Sequence, residues 1–310
     1  MIRRAPQRKS HQPSRLARHA SRHLLEGQIV ASFGRRYLVE LADASTLDCV
    51  TRGKRGALAC GDRVTVARTA AGRGVIEAVR ARTTLLYRSD RARQKLVAAN
   101  VTQIAIVVAP APTFSEDLVN RCLAAAEHGA MAALIVLNKV DLPQAPAALA
   151  SLEPYRGLGY RLVALSAKRD LGPLVPYLNG ETSVLVGQSG MGKSTIINGL
   201  LPAAAVRVAE ISAALDSGRH TTTHTRLYHL DDASHVIDSP GLQAFGLHHL
   251  DAPALAHAFV EFRPHLGHCR FRDCRHVSEP GCAVAAACNK DEFRMRRLES
   301  YRGLVREHGP

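Results

Sequence analysis

Residues 183–201 read as a buried strand, a glycine-rich loop and a helix in direct succession. The strand is Ser183-Val-Leu-Val. The loop is Gly187-Gln188-Ser189-Gly190-Met191-Gly192-Lys193-Ser194, the spacing G-x-x-x-x-G-K-S, and Thr195 opens the apolar run that follows. No other stretch restricts the fold as much. Glycines let the backbone turn its N–H groups inward, and the helix that follows presents a positive dipole end. Such a ring of donors suits a chain of phosphates. In this setting Lys193 is placed for the outer phosphates and the Ser194 hydroxyl for Mg²⁺.

A phosphate loop does not choose a base. Asn138-Lys139-Val140-Asp141 does, at the end of the apolar run 132–137. Guanine shows two adjacent donors, and one carboxylate accepts both. Asp141 is assigned that grip, Lys139 the support of the base plane, and Asn138 the tie to neighbouring loops. Ser166-Ala167-Lys168 follows the next apolar run, 161–165, and offers a backbone N–H to the guanine oxygen. Asp238-Ser-Pro-Gly241 has the form D-x-x-G. Asp238 is expected to hold Mg²⁺ through water, and the Gly241 N–H to meet the last phosphate. Between phosphate loop and D-x-x-G lies Gly218-Arg-His-Thr-Thr-Thr. Either Thr222 or Thr223 is expected to complete the Mg²⁺ shell.

The two base-binding segments precede the phosphate loop, the reverse of the ordinary order for guanine-nucleotide hydrolases. The sequence therefore predicts a circularly permuted α/β domain with motif order G4-G5-G1-G2-G3. A permuted chain can form the same sheet if the original termini lie close together. Strands are predicted at 103–109, 132–137, 161–165, 183–186, 226–230 and 235–237, and helices at 116–128, 171–178 and 193–201. That alternation implies a mostly parallel sheet with both faces covered.

Charge enters at the flanks. The chain carries 41 Lys+Arg against 27 Asp+Glu, a net +14, which favours a polyanionic partner. Residues 1–26 read as a basic disordered arm, either a phosphate-binding tail, a solvated terminus or a transit peptide. Residues 27–85 alternate short β-like runs (28–32, 37–41, 63–67, 75–79) with glycine turns, which suggests a small closed barrel. Its loops are Arg-rich, and Phe33 and Tyr37 are its candidate base-stacking rings. Residues 86–250 carry the nucleotide motifs, and 251–310 are helical, Cys-rich and basic. No apolar run reaches the ~18 residues that span a bilayer. No membrane partner is expected.

Seven cysteines cannot all pair internally. Cys269, Cys274, His276 and Cys282 put three thiols and an imidazole in one short segment, the donor set of a structural Zn²⁺ site. Cys288, His265 and His268 are rivals outside the compact set. Scattered plus clustered cysteines, with no apolar leader, place the chain in a reducing compartment, the cytoplasm.

Together these features resemble the ribosome small-subunit-dependent GTPase family. The features are the early guanine loops, Gly218-Arg-His-Thr-Thr-Thr, Asp238-Ser-Pro-Gly, and the Cys/Cys/His/Cys set followed by a basic helix. The resemblance implies an N-terminal OB-fold, a central permuted GTPase domain and a C-terminal zinc domain. It also implies a 30S-bound, GTP/GDP-cycling enzyme that acts in late subunit maturation and contacts 16S rRNA; the chain is expected to be a monomer. The position after Gly241 is Leu242, which cannot orient water as a glutamine can, so slow turnover stimulated by the partner is expected. His220 is the candidate water-orienting residue. The basic helix 291–307 is expected to face RNA through Arg294, Arg296, Arg297, Arg302 and Arg306. The rival reading is an RNA-binding assembly module that uses guanine nucleotide only as an occupancy switch.

Overall fold

The computed structural model describes residues 24–52, 57–89, 94–201, 225–239 and 247–307. Five strands close the first unit: β1 (Leu24–Phe33), β2 (Arg36–Leu41), β3 (Thr46–Thr51), β4 (Arg63–Ala70) and β5 (Arg73–Val79). Their order is β1-β2-β3-β5-β4, and a β1–β4 ladder closes the ring. The β3–β5 pair is parallel and the other pairs are antiparallel, which is the OB arrangement of a five-stranded barrel. Alternation drives it: Ile29, Val39, Leu47, Val64, Val66 and Ile76 fill one core. β3 escaped the sequence reading because Asp48 interrupts the apolar run. Asp48 points outward to pair with Arg36, while Leu47 and Cys49 point in. β1 starts at Leu24, so Leu24–Glu26 belong to the barrel and not to a tail. Leu25 pairs with Val66 and packs on the barrel core. Tyr37 is buried there and cannot stack on a base.

A hairpin of β6 (Leu85–Ser89) and β7 (Gln94–Ala99) leads to the central sheet. There β8 (Gln103–Val108), β9 (Ala132–Leu137), β10 (Arg161–Ala164), β11 (Thr182–Val186) and β13 (His235–Asp238) run parallel in the order β10-β9-β8-β11-β13. β12 (Thr225–His229) is antiparallel beside β13 and also pairs with β1 of the barrel, at Ala31↔Arg226 and Ser32↔Thr225. Barrel and nucleotide sheet are thereby one 11-stranded sheet. The middles of the parallel strands are apolar because both faces are covered, and polar residues such as Gln103, Arg161, His235 and Asp238 stand at strand ends.

On the faces lie α1 (Glu116–His128), α2 (Ala145–Gly157), α3 (Val175–Leu178) and α4 (Lys193–Leu200). α2 was not read from the sequence, because prolines at 146 and 154 obscure its pattern. One sits in the first turn, where no N–H is lost, and the other near the end. The helix expected at 171–178 shrinks to its last turn, since Gly172-Pro173 breaks it.

The C-terminal part is α5 (Ala252–His257), a 3-10 turn (Val260–His265), α6 (Ala283–Cys288) and α7 (Glu292–Glu307). α7 packs on α1. Arg297, expected at an RNA-facing surface, is instead 1% exposed and bound to Glu261. Its guanidinium also donates to Asn120 at 2.8 Å and lies over the Phe259 ring. Arg296 pairs with Glu116 and Glu292, and Arg302 with Glu299. Only Arg297 is taken up by the core; the Arg296 and Arg302 pairs involve solvent-accessible carboxylates and leave those arginines at the surface. No described helix is long and apolar enough to cross a membrane.

Candidate functional site

The ends of β8, β9, β10 and β11 lie side by side, so the loops that leave them meet. This is where an open α/β sheet places ligands. The glycine loop follows β11. Gly187 runs so close to β8 that a Cβ there would sit 2.2 Å from the Val107 carbonyl. Gly192 has φ +95° and would meet the Asn138 amide at 2.2 Å. Both positions admit only glycine. Gly192 then caps α4, so the loop's N–H groups and the helix dipole converge. Lys193 Nζ donates back to the carbonyls of Gly187, at 2.5 Å, and Gln188, at 2.9 Å. Burial lowers its pKa from the ordinary lysine value, and Asp238 opposes that shift. Asp238, at the end of β13, is raised above the usual carboxylate range by burial, with Lys193 working against it. Ser194 is exposed at the helix start and Thr195 is half-buried.

Asn138 is the hub. Its side chain is 2% exposed. It donates to the Met191 carbonyl at 2.9 Å and accepts the Ala167 N–H at 2.9 Å. One amide thus joins the glycine loop to both base loops. Lys139 sits at φ +61° and donates to the Ala111 carbonyl at 2.7 Å. Asp141 is exposed, and its carboxyl is held below the usual range by a hydrogen bond from Ser166. A cavity of about 410 Å³ opens between these loops. Asp141, Lys139, Ser166, Ala167 and Lys168 line one side, and Gly192 and Thr195 the other. Its size lies within the ordinary range of small-ligand sites. Ala111 and Pro112, from the loop after β8, form a further wall. Sequence reasoning missed them because Ala-Pro carries no polar signal.

Of the sequence-predicted residues, Asn138, Lys139, Asp141, Ser166, Ala167, Lys168, the glycine loop and Asp238 come together. His220, Thr222, Thr223 and Gly241 lie outside the described residues, as do Leu242, residues 1–23 of the basic stretch and the whole segment 218–223.

A second constellation lies in the C-terminal part. The ligand atoms of Cys269, Cys274, His276 and Cys282 all lie within 4.8 Å of one another, and this group could hold a metal ion. The His276 Nδ1 is 3.5, 3.6 and 3.4 Å from the sulfurs of Cys269, Cys274 and Cys282. The sulfurs of Cys269 and Cys282 are 3.9 Å apart. A tetrahedron with metal–sulfur bonds of about 2.3 Å has an edge of about 3.8 Å, so the donors fit a Zn²⁺-sized ion. All seven cysteines are free thiols. Cys288, buried with its thiol pushed up to about 11, is outside the group, as are His265 and His268. The loop is held in shape from behind. Glu279 accepts N–H groups from Arg275, Val277 and Ser278, and the Tyr301 hydroxyl donates to the Arg275 carbonyl.

Comparison with known proteins places this geometry. A family model described as RsgA GTPase matches residues 79–248. A protein of Nitrosospira multiformis named "Small ribosomal subunit biogenesis GTPase RsgA" is 56% identical over 282 residues, covering 91% of this chain and 90% of that protein. Its namesake in Burkholderia pseudomallei is 48% identical over 312 residues, covering 99% and 98%. Among solved structures, YjeQ from Thermotoga maritima superposes with a TM-score of 0.71 at 30% identity, over 93% of this chain and 99% of that one. YloQ, titled a circularly permuted GTPase, gives 0.67 at 26% identity, over 95% and 99%.

Proposed function

The chain belongs to the RsgA GTPase family, and from that premise we propose that it hydrolyses GTP while bound to the small ribosomal subunit, late in the subunit's maturation. The observation that carries this is the single cavity bounded by Asp141 on one side and Gly192 on the other. A guanine held by Asp141, with Ser166, Ala167 and Lys168 closing around its oxygen, puts the phosphates on the glycine loop. Gly187, Gln188, Ser189, Gly190, Met191, Gly192, Lys193, Ser194 and Thr195 form that cradle, with Asp238 and Gly241 at its far end.

Ser194, through its exposed hydroxyl, and Asp238, through water, would hold magnesium, with Thr222 or Thr223 completing the set; when bound, the ion would supply neutralisation of phosphate charge. The protein's own work is positioning. Water attacks the terminal phosphorus in line, the bond to the bridging oxygen breaks, and GDP leaves. Leu242 follows the D-x-x-G segment and cannot orient that water, so His220 takes the role. Intrinsic turnover is then slow and the partner accelerates it.

The Cys269, Cys274, His276, Cys282 group takes Zn²⁺ as a structural ion, since four protein donors leave no open position for chemistry. The division follows the motifs, with the first boundary moved to the start of β1: a basic arm at 1–23, an RNA-binding OB barrel at 24–85, the GTPase domain at 86–250 and the zinc domain at 251–310. The +14 charge fits contact with 16S rRNA. The protein works as a cytoplasmic monomer, and hydrolysis times its departure from the subunit. The test is the steady-state GTPase rate with and without purified 30S subunits. A rise of at least an order of magnitude, abolished in His220→Ala, is expected. An unchanged rate removes the subunit-coupled reading.

A further inference from the structure

The sheet order raises a question that the motifs leave open. The base loops leave β9 and β10, and the phosphate loop leaves β11, but β8 stands between β9 and β11. The two halves of the cavity are therefore separated by a strand whose own exit loop, residues 109–115, carries no nucleotide motif. That loop touches both halves. The Ala111 carbonyl accepts the Lys139 ammonium at 2.7 Å. The Ser115 N–H donates to Gln188 Oε1 at 2.9 Å. Pro112 packs against the glycine-loop tip, close enough that a Cβ on Gly190 would lie 3.3 Å from its ring. Ala111 and Pro112 also wall the cavity.

We propose that the loop 109–115 is a spacer that sets the distance between the base subsite and the phosphate subsite, with Ala111 and Pro112 as its positioning residues. This rests on the guanine-nucleotide reading above. The Lys139 ammonium, tethered to a backbone carbonyl, holds its aliphatic stem across the cavity on the base side. Gln188 and Gly190 are held from the same loop on the phosphate side. Neither Ala111 nor Pro112 offers a side-chain donor or acceptor to a ligand. Their contribution is the relative placement of two subsites, and only a ligand that spans both can sense it.

That property gives a test which ordinary loss of structure does not mimic. The double variant Ala111→Gly/Pro112→Gly frees the spacer while keeping its carbonyls. Affinities for GDP, guanosine and inorganic tripolyphosphate are compared with the parent protein by titration. If the competent spacing falls to about a tenth of the population, GDP affinity falls about tenfold. Guanosine and tripolyphosphate, each confined to one subsite, stay within about twofold. The single variant Pro112→Ala, which keeps more rigidity, gives a smaller loss with the same pattern. Equal loss for all three ligands, or undiminished GDP affinity, overturns the spacer. Failure of the parent protein to bind GDP overturns the nucleotide reading itself, a different result.

Discussion

The nucleotide cavity and the Cys/His loop are both small sites, but they are held together by opposite means. In the cavity, every loop leaves the end of a strand in a buried parallel sheet, and side chains such as Asn138 only lock loops already in place. The Cys/His segment between the 3-10 turn and α6 has no strand or helix of its own. Four ligand atoms and the Glu279 carboxylate define its shape. The first site is a consequence of the fold; the second is a donor set that could hold a metal ion. Sheet geometry makes a site that waits for its ligand, whereas ligand chemistry makes a site that the ligand helps build.

The largest expected effect breaks the two apart. Structural zinc binding is worth about 10–16 kcal/mol in small peptides. Stripping the metal with a chelator, or Cys282→Ala, should raise amide hydrogen exchange across residues 266–282 to near-unprotected rates. GDP affinity should stay within about threefold, because the two sites share no residue. A collapse of GDP binding on chelation would show that the cavity is not independent.

Next in size is the seam where the two regions meet. Arg297 and Glu261 are both almost wholly buried, with Asn120 of α1 completing the contact. Glu261→Gln leaves the guanidinium without a countercharge, at a cost of about 3–5 kcal/mol. Denaturant unfolding should show one transition at lower midpoint if α1 and α7 melt together. Two separated transitions would sharpen the contrast between the regions.

The smallest effect lies inside the cavity. Asp141 is held below the usual carboxylate range by Ser166, so its grip is lost only as pH falls below that range. Asp238 is raised by burial, so its carboxylate is lost while pH is still above it. On acidification, protons should therefore compete magnesium off the GDP complex before metal-free GDP binding is lost. Parallel titration of magnesium affinity and metal-free GDP affinity checks the order, and coincident midpoints refute it.

Much of this was legible beforehand where one residue type has one use. Gly187 and Gly192 stand where a Cβ collides, and the four candidate metal ligands stand in one short segment. What escaped depends on distant partners. Arg297 looks like one more basic residue on a polar helix until Glu261, 36 positions away, is seen beside it. Asp48 broke the pattern of β3 because its partner Arg36 is on another strand. Ala111 and Pro112 have no polar signal at all, and their place in the site comes from sheet order alone.

The ladder between β1 and β12 carries a mechanical consequence. At Thr225 the chain emerges from residues 202–224 already clipped to Ser32 of the barrel, and the same strand runs on through its hairpin to Asp238. Barrel and hydrolytic centre share a splint. Torque applied to one cannot be absorbed by a slack hinge along that edge, and whatever surface the barrel grips becomes a handle on Asp238 at the end of β13.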